Sequence, residues 1–275
     1  MMRFISFTGL LLFLIVQASF AQVTISPTQV FLDPNTKVGN FYISNPSGSA
    51  IEVRLSFEFA YPKTDDQGNI SFVNDNPDFE SQSSIVPYLR AFPTTFVLQP
   101  DQRQTIRLVG RIPNTVGDGL FWSRMRVSSS QLTPPIGEVT DGGVTAQVAF
   151  QFDQVTGVFV QNGNAATGLR IHGSEANKAD GRLTILTDVE RTGNSPFLGS
   201  VRTRILDSAN NVVDERRSST SVYFRNKQRV EFDAVNLRPG TYTIETTFES
   251  QRNDISSQNL LQIPNVTERT TIQIE

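Results

Sequence analysis

The chain has 275 residues, with 24 Lys plus Arg against 27 Asp plus Glu and a net charge of −3, which excludes a strongly basic nucleic-acid binder and an acidic tail. At 38% hydrophobic and 19% charged residues it is too apolar to remain disordered. It has no cysteine and a single histidine, His172, so a disulfide framework, a thiol nucleophile and histidine metal clusters are out; no enzyme, cofactor or metal site is expected.

In chain order, residues 1–21 read as a secretory signal. Arg3 supplies the charge, Phe4 to Val16 the apolar stretch, and Ala18-Ser19-Phe20-Ala21 the small residues a signal peptidase accepts, with cleavage after Ala21. The apolar run is short for a membrane span of about 20 residues, so no membrane association is expected after cleavage.

Beyond it, alternation with period two dominates and helix periodicity is nearly absent. Ile51, Val53, Leu55, Phe57, Phe59 and Tyr61 occupy every second position, with Glu52, Arg54, Ser56 and Glu58 between them, as in a strand with one dry face. Further strands are expected at Val23–Leu32, Gly39–Asn45, Thr105–Arg111, Leu120–Ser128 and Val144–Val160. The breaks carry turn chemistry, among them Asp33-Pro34-Asn35, Asp65-Asp66-Gln67-Gly68-Asn69 and Gln99-Pro100-Asp101. A small, polar stretch at 161–168 reads as a linker. Strands then resume at Leu169–His172, Arg182–Val189, Ser200–Leu206, Gln228–Val235, Thr241–Phe248 and Thr270–Ile274. The run Leu237-Arg238-Pro239-Gly240-Thr241-Tyr242 has the form of a tyrosine corner. The expectation is an all-β protein of two β-sandwich domains, 22–160 and 169–275.

The strand that closes the first half has a distinctive pattern. Val144, Ala146, Val148, Phe150 and Phe152 share one face, and Thr145, Gln147, Ala149, Gln151 and Asp153 the other. Burying one Phe or Val is worth roughly 1.5–3 kcal/mol, so these groups need cover, either from their own core or from a partner. The phase changes after Phe152: Val155 and Phe159 fall on one parity, Val158 and Val160 on the other. A strand buried on both faces or a bulge near Gln154 accounts for this. Before this strand, residues 131–143 carry two prolines and three glycines and read as a long, mobile loop.

Several pieces of the first half, in order, resemble the periplasmic chaperones of pilus and fimbria assembly, the PapD-like family. They are Ile25-Ser26-Pro27-Thr28-Gln29-Val30-Phe31-Leu32, Phe41-Tyr42-Ile43-Ser44-Asn45, Gln104-Thr105-Ile106-Arg107-Leu108 and Gly119-Leu120-Phe121-Trp122-Ser123-Arg124-Met125-Arg126-Val127. The likeness covers about Val23 to Val160; the second half is similar only in being a short β-sandwich. The resemblance implies two immunoglobulin-like domains that hold an incompletely folded pilus or fimbrial subunit, without ATP, by donating a strand to it, and an outer-membrane usher as a further partner. It implies a periplasmic location and makes Val148, Phe150 and Phe152 the partner-binding residues of the lent strand. The family anchors a subunit carboxylate with an Arg on the first strand and a Lys on the last. Here the matching positions hold Gln29 and Gly157, or Val155 with a shift of two, so neither cation is present. The rival reading is a non-enzymatic structural or adhesive protein of the cell surface built from β-sandwiches.

The remaining signals are bland. His172 has no second ligand nearby and reads as a surface residue. The Asp65–Asn69 loop lacks a closing bidentate Glu and reads as a hairpin turn rather than a calcium loop. Ser128-Ser129-Ser130 has no base beside it. Arg216-Arg217 and Arg225-Asn226-Lys227-Gln228-Arg229 lie among Glu215, Glu231 and Asp233 and read as a solvated sheet face.

Overall fold

The computed structural model describes residues 23–132, 150–235 and 237–275. The expected signal at 1–21, most of the 131–143 loop, and Val148 in the expected lent strand lie outside them. The elements are β1 (Thr24–Ser26), β2 (Gln29–Leu32), β3 (Val38–Ser44), β4 (Ile51–Glu58), β5 (Tyr61–Thr64), β6 (Ile70–Val73), α1 (Pro77–Ser83), β7 (Leu89–Phe92), β8 (Thr95–Leu98), β9 (Arg103–Gly110) and β10 (Gly119–Gln131). They continue with β11 (Gln151–Asn162), β12 (Thr167–Ala179), β13 (Arg182–Gly193), β14 (Phe197–Leu206), β15 (Val212–Val222), β16 (Arg225–Asp233), β17 (Gly240–Glu249) and β18 (Val266–Ile274).

The first sandwich packs a sheet ordered β1-β3-β9-β7 on one ordered β2-β11-β10-β4-β8. Phe41, Ile43, Ile106 and Leu108 from the former meet Ile51, Val53, Met125, Val127, Val158 and Val160 from the latter in a dry core. Alternation explains this, because every second side chain of each strand points between the sheets. The expected single strand Val23–Leu32 is two strands in different sheets. It is interrupted at Pro27, which has no N–H to contribute to a ladder. The Asn just after β3 has a structural duty. Buried Asn45 donates to Ser49 O at 2.8 Å and Leu98 O at 3.1 Å and accepts from Ser47 N at 3.0 Å, knitting two turns together.

The second sandwich packs β12-β13-β16 on β15-β14-β17-β18. Its core contains Leu183, Ile185 and Phe232 from one sheet and Ile205, Ile244 and Ile274 from the other. Strand β15 has no counterpart in the sequence expectation. It is an edge strand dominated by exposed polar and charged residues, so it shows little of the apolar alternation that marks its neighbours. The tyrosine corner is present: the Tyr242 hydroxyl donates to Arg238 O at 3.0 Å.

The alternating run from Ile51 to Tyr61 serves two cores. Ile51, Val53 and Leu55 face the first sandwich, whereas Phe59 and Tyr61 pass into a third cluster between the sandwiches. That cluster joins Leu120, Trp122 and Phe159 of the first half to Leu198, Tyr223, Ile255 and Leu260 of the second.

Candidate functional site

Strand β11 lies between β10 and β2, and its two faces explain the phase change. The β10–β11 register is unbroken from Gly119 opposite Asn162 to Ser130 opposite Gln151, so there is no bulge at Gln154. Instead the strand is buried on both faces at its C-terminal half. Val158 and Val160 face the first core, and Phe159 faces the cluster between the sandwiches, stacked on Phe31 at 4.7 Å. Toward its N-terminus the strand becomes more exposed. Phe152 is half-buried and packs against the rim of the first core, while Phe150 on the same parity is 66% exposed.

The parallel ladder with β2 covers only Gly157 to Val160. N-terminal of it, two side chains tie β11 to the segment preceding β2. Gln154 Nε2 donates to Val23 O at 2.6 Å, and Thr156 Oγ1 donates to Thr28 O at 2.5 Å. This stretch therefore lies at the border of its sheet.

Gln29 and Gly157, matched to the family anchor from sequence, stand side by side as register partners. Gly157 is opposite Arg124 on β10, and Arg124 is opposite Glu58 on β4. Four residues thus form one row across four strands, with the side chains of Gln29, Arg124 and Glu58 directed to the outer face of this sheet. A side chain at 157 would collide with the Gln29 carboxamide, whose Oε1 lies over the glycine, buried and without a hydrogen-bond donor. Val155, the shifted alternative, is exposed and stands opposite Arg126 instead.

Arg124 is the residue the sequence comparison missed. On β10 the odd positions Phe121, Met125 and Val127 enter the first core, while Leu120 and Trp122 join the cluster between the sandwiches. Arg124 continues the even face into the cleft beside that cluster. Its Nη2 donates to Tyr223 Oη at 3.3 Å, and its guanidinium lies 5.5 Å from the Phe72 ring centroid and 5.7 Å from that of Tyr223. Its Nε is buried without an acceptor. Burial pushes the Tyr223 phenol up, so its hydroxyl is neutral and does not compensate the arginine charge. Among the described residues no carboxylate pairs with Arg124. Neighbouring Arg126, by contrast, is held by Glu58 at 2.7 Å and Asp153 at 3.3 Å.

The cleft has a volume of about 300 Å³ and is lined by Gln29, Arg124, Lys227, Arg229 and Arg252, with Ile70 and Phe72 on its apolar side and, among the described residues, no carboxylate in its lining. Arg252 is neutralised by Asp254 at 2.5 Å and Arg229 by Glu231 at 2.5 Å. Lys227 lies 3.8 Å from Asp66. Of the two basic residues nearest the anchor positions in sequence, Lys37 bonds the carbonyls of Pro34 and Gln161, and Arg170 is exposed on β12; neither lines the cleft. His172 sits at the surface, 2.8 Å from Glu190.

No family model matches the chain, and no curated protein matches it. Solved structures do. A chain of a chaperone–tip adhesin complex of CFA/I fimbriae biogenesis matches with a TM-score of 0.43 and 11% identity, over 90% of this chain and 98% of that one. The Pseudomonas aeruginosa CupB2 chaperone matches at 0.41 and 10%, over 90% and 98%. A chain of the Salmonella enterica SafA pilin–SafB chaperone complex matches at 0.40 and 12%, over 93% and 97%. The chain is similar to these fimbrial chaperone structures.

Proposed function

We propose that this protein is an exported, non-enzymatic chaperone of the periplasm that holds an incompletely folded pilus or fimbrial subunit without ATP by strand addition, for delivery to an outer-membrane usher. The observation that carries the reading is Phe150, 66% exposed and immediately ahead of the N-terminal end of β11, the part of that strand that β2 does not pair. A large apolar side chain there gains roughly 1.5–3 kcal/mol when a partner covers it. Main-chain bonds along a sheet border supply affinity, and alternating side chains such as Val148, Phe150 and Phe152 supply fit.

The cleft supports a charge anchor of altered composition. With Gln29 and Gly157 where the resembling family has cations, Arg124 from the adjacent strand brings the charge to the same row. A terminal carboxylate accepts from Arg124, and a peptide N–H donates to the orphaned Gln29 Oε1, so one chain end satisfies both groups.

The test is capture of the mature protein from periplasmic extract, with bound subunits identified by mass spectrometry. Wild type retains a pilus-type subunit, and Phe150→Glu loses it while keeping its circular dichroism spectrum and unfolding midpoint. Should Phe150→Glu unfold the protein, the residue belongs to the domain's own core and the scaffold reading takes its place.

A further inference from the structure

The connection from β4 to β7 is far longer than crossing between two sheets of one sandwich requires. Such links are commonly a few residues, and structureless ones beyond about 12–15 are rare. Here residues 59–88 intervene, and they build their own hairpin, β5–β6, followed by α1. Among the described residues the hairpin strands pair only with each other. An isolated two-stranded hairpin is marginal in water and draws its order from whatever it rests on.

What it rests on is the other sandwich. Lys227 N on β16 donates to Thr64 Oγ1 at 2.6 Å. Arg229 Nη1 donates to Gln67 O at 3.2 Å and to Asn69 Oδ1 at 3.4 Å. Gly68, with φ +76°, sits so close to β16 that a Cβ there would come within 2.6 Å of Arg229 Cβ. At the base of the excursion, Phe79 of α1 stacks on Phe224 with centroids 3.8 Å apart, and Tyr61 meets the same ring edge-on at 4.8 Å. One segment of the first half thus grips the second at its tip and at its base.

We propose that residues 59–84 are a brace that sets the angle between the two sandwiches, and with it the width of the cleft. Pro62, Thr64, Gly68, Ile70 and Phe72 of the hairpin form one wall of that cleft, so cleft width follows hairpin docking. Relative motion is the default for two domains unless their interface is large and apolar, and the brace removes that freedom before any partner arrives. The inference does not depend on the chaperone reading.

Because the chain has no cysteine, a label pair at Thr95→Cys and Ser208→Cys, one exposed position in each half, reports the distance between the sandwiches by pulsed electron paramagnetic resonance. The full chain with the native brace should give one narrow distance distribution. Two independent lesions, Gly68→Trp as a wedge and Thr64→Val with Arg229→Ala as a loss of bonds, should each broaden it about twofold, with the circular dichroism of the sheets unchanged. A broad distribution with the native brace, or an unaltered one in both lesions, overturns the proposal.

Discussion

Arg124 shows how neighbours that are distant in sequence set the surroundings of one charged side chain. Its guanidinium is flanked by two aromatic rings, bonded to a neutral phenol and unaccompanied by a carboxylate among the described residues. A cation held in this way favours an incoming anion more than a solvated arginine does, because its charge is neither paired nor fully hydrated. Arg124→Ala should therefore weaken subunit retention by tenfold or more, in line with about 1.5–3 kcal/mol for a hydrogen bond to a charged group. Titration of the purified subunit against the mature protein measures this. An unchanged affinity would remove Arg124 from the proposed partner contact and leave only the proposed strand addition. Arg126, already satisfied by Glu58 and Asp153, is the internal control.

At the scale of elements, the turns are as informative as the strands. The tyrosine corner was legible because a Pro-Gly step dictates the turn and places Tyr242 where its hydroxyl returns to the backbone it has just left. Tyr242→Phe removes that donor while keeping the ring, and should cost about 1 kcal/mol, read as a lower urea midpoint at unchanged slope. Strand β11 was legible only in part. Its alternation showed two faces and its phase change required either a bulge or double burial. The unbroken register with β10 and the Phe31–Phe159 stack decide for double burial. The short strands β5 to β8 are not legible in the sequence because four residues are too few to display a period. The basic run 225–229, expected as a solvated face, is partly that: Arg225 pairs with Asp188 at 2.6 Å. Lys227 and Arg229, however, receive the hairpin.

For the whole molecule, the cluster between the sandwiches joins side chains of both halves in one buried group. Phe224 contributes to it from the second half, packed by Phe79, Tyr61 and Trp122 of the first and capped by the Arg191 guanidinium 5.4 Å from its ring. Truncation to Ala should cost on the order of 2–3 kcal/mol, from lost burial and lost ring contacts. Calorimetry should show one transition for the wild-type protein and, for Phe224→Ala, a lower midpoint with the sandwiches melting separately. An unshifted midpoint would mean that this contact contributes nothing to the union of the halves.

Local periodicity and residue type were enough for the fold class, most strand positions, the polarity of the faces on those strands and the absence of cations at 29 and 157. Which strands lie side by side, and hence that Arg124 shares a row with Gln29 and Gly157, follows from the assembled sheet alone. The same assembly settles how the apolar residues divide among three destinations. Alternation states that a face must be covered, but the identity of the cover depends on contacts between segments far apart in the chain, and no local pattern encodes those.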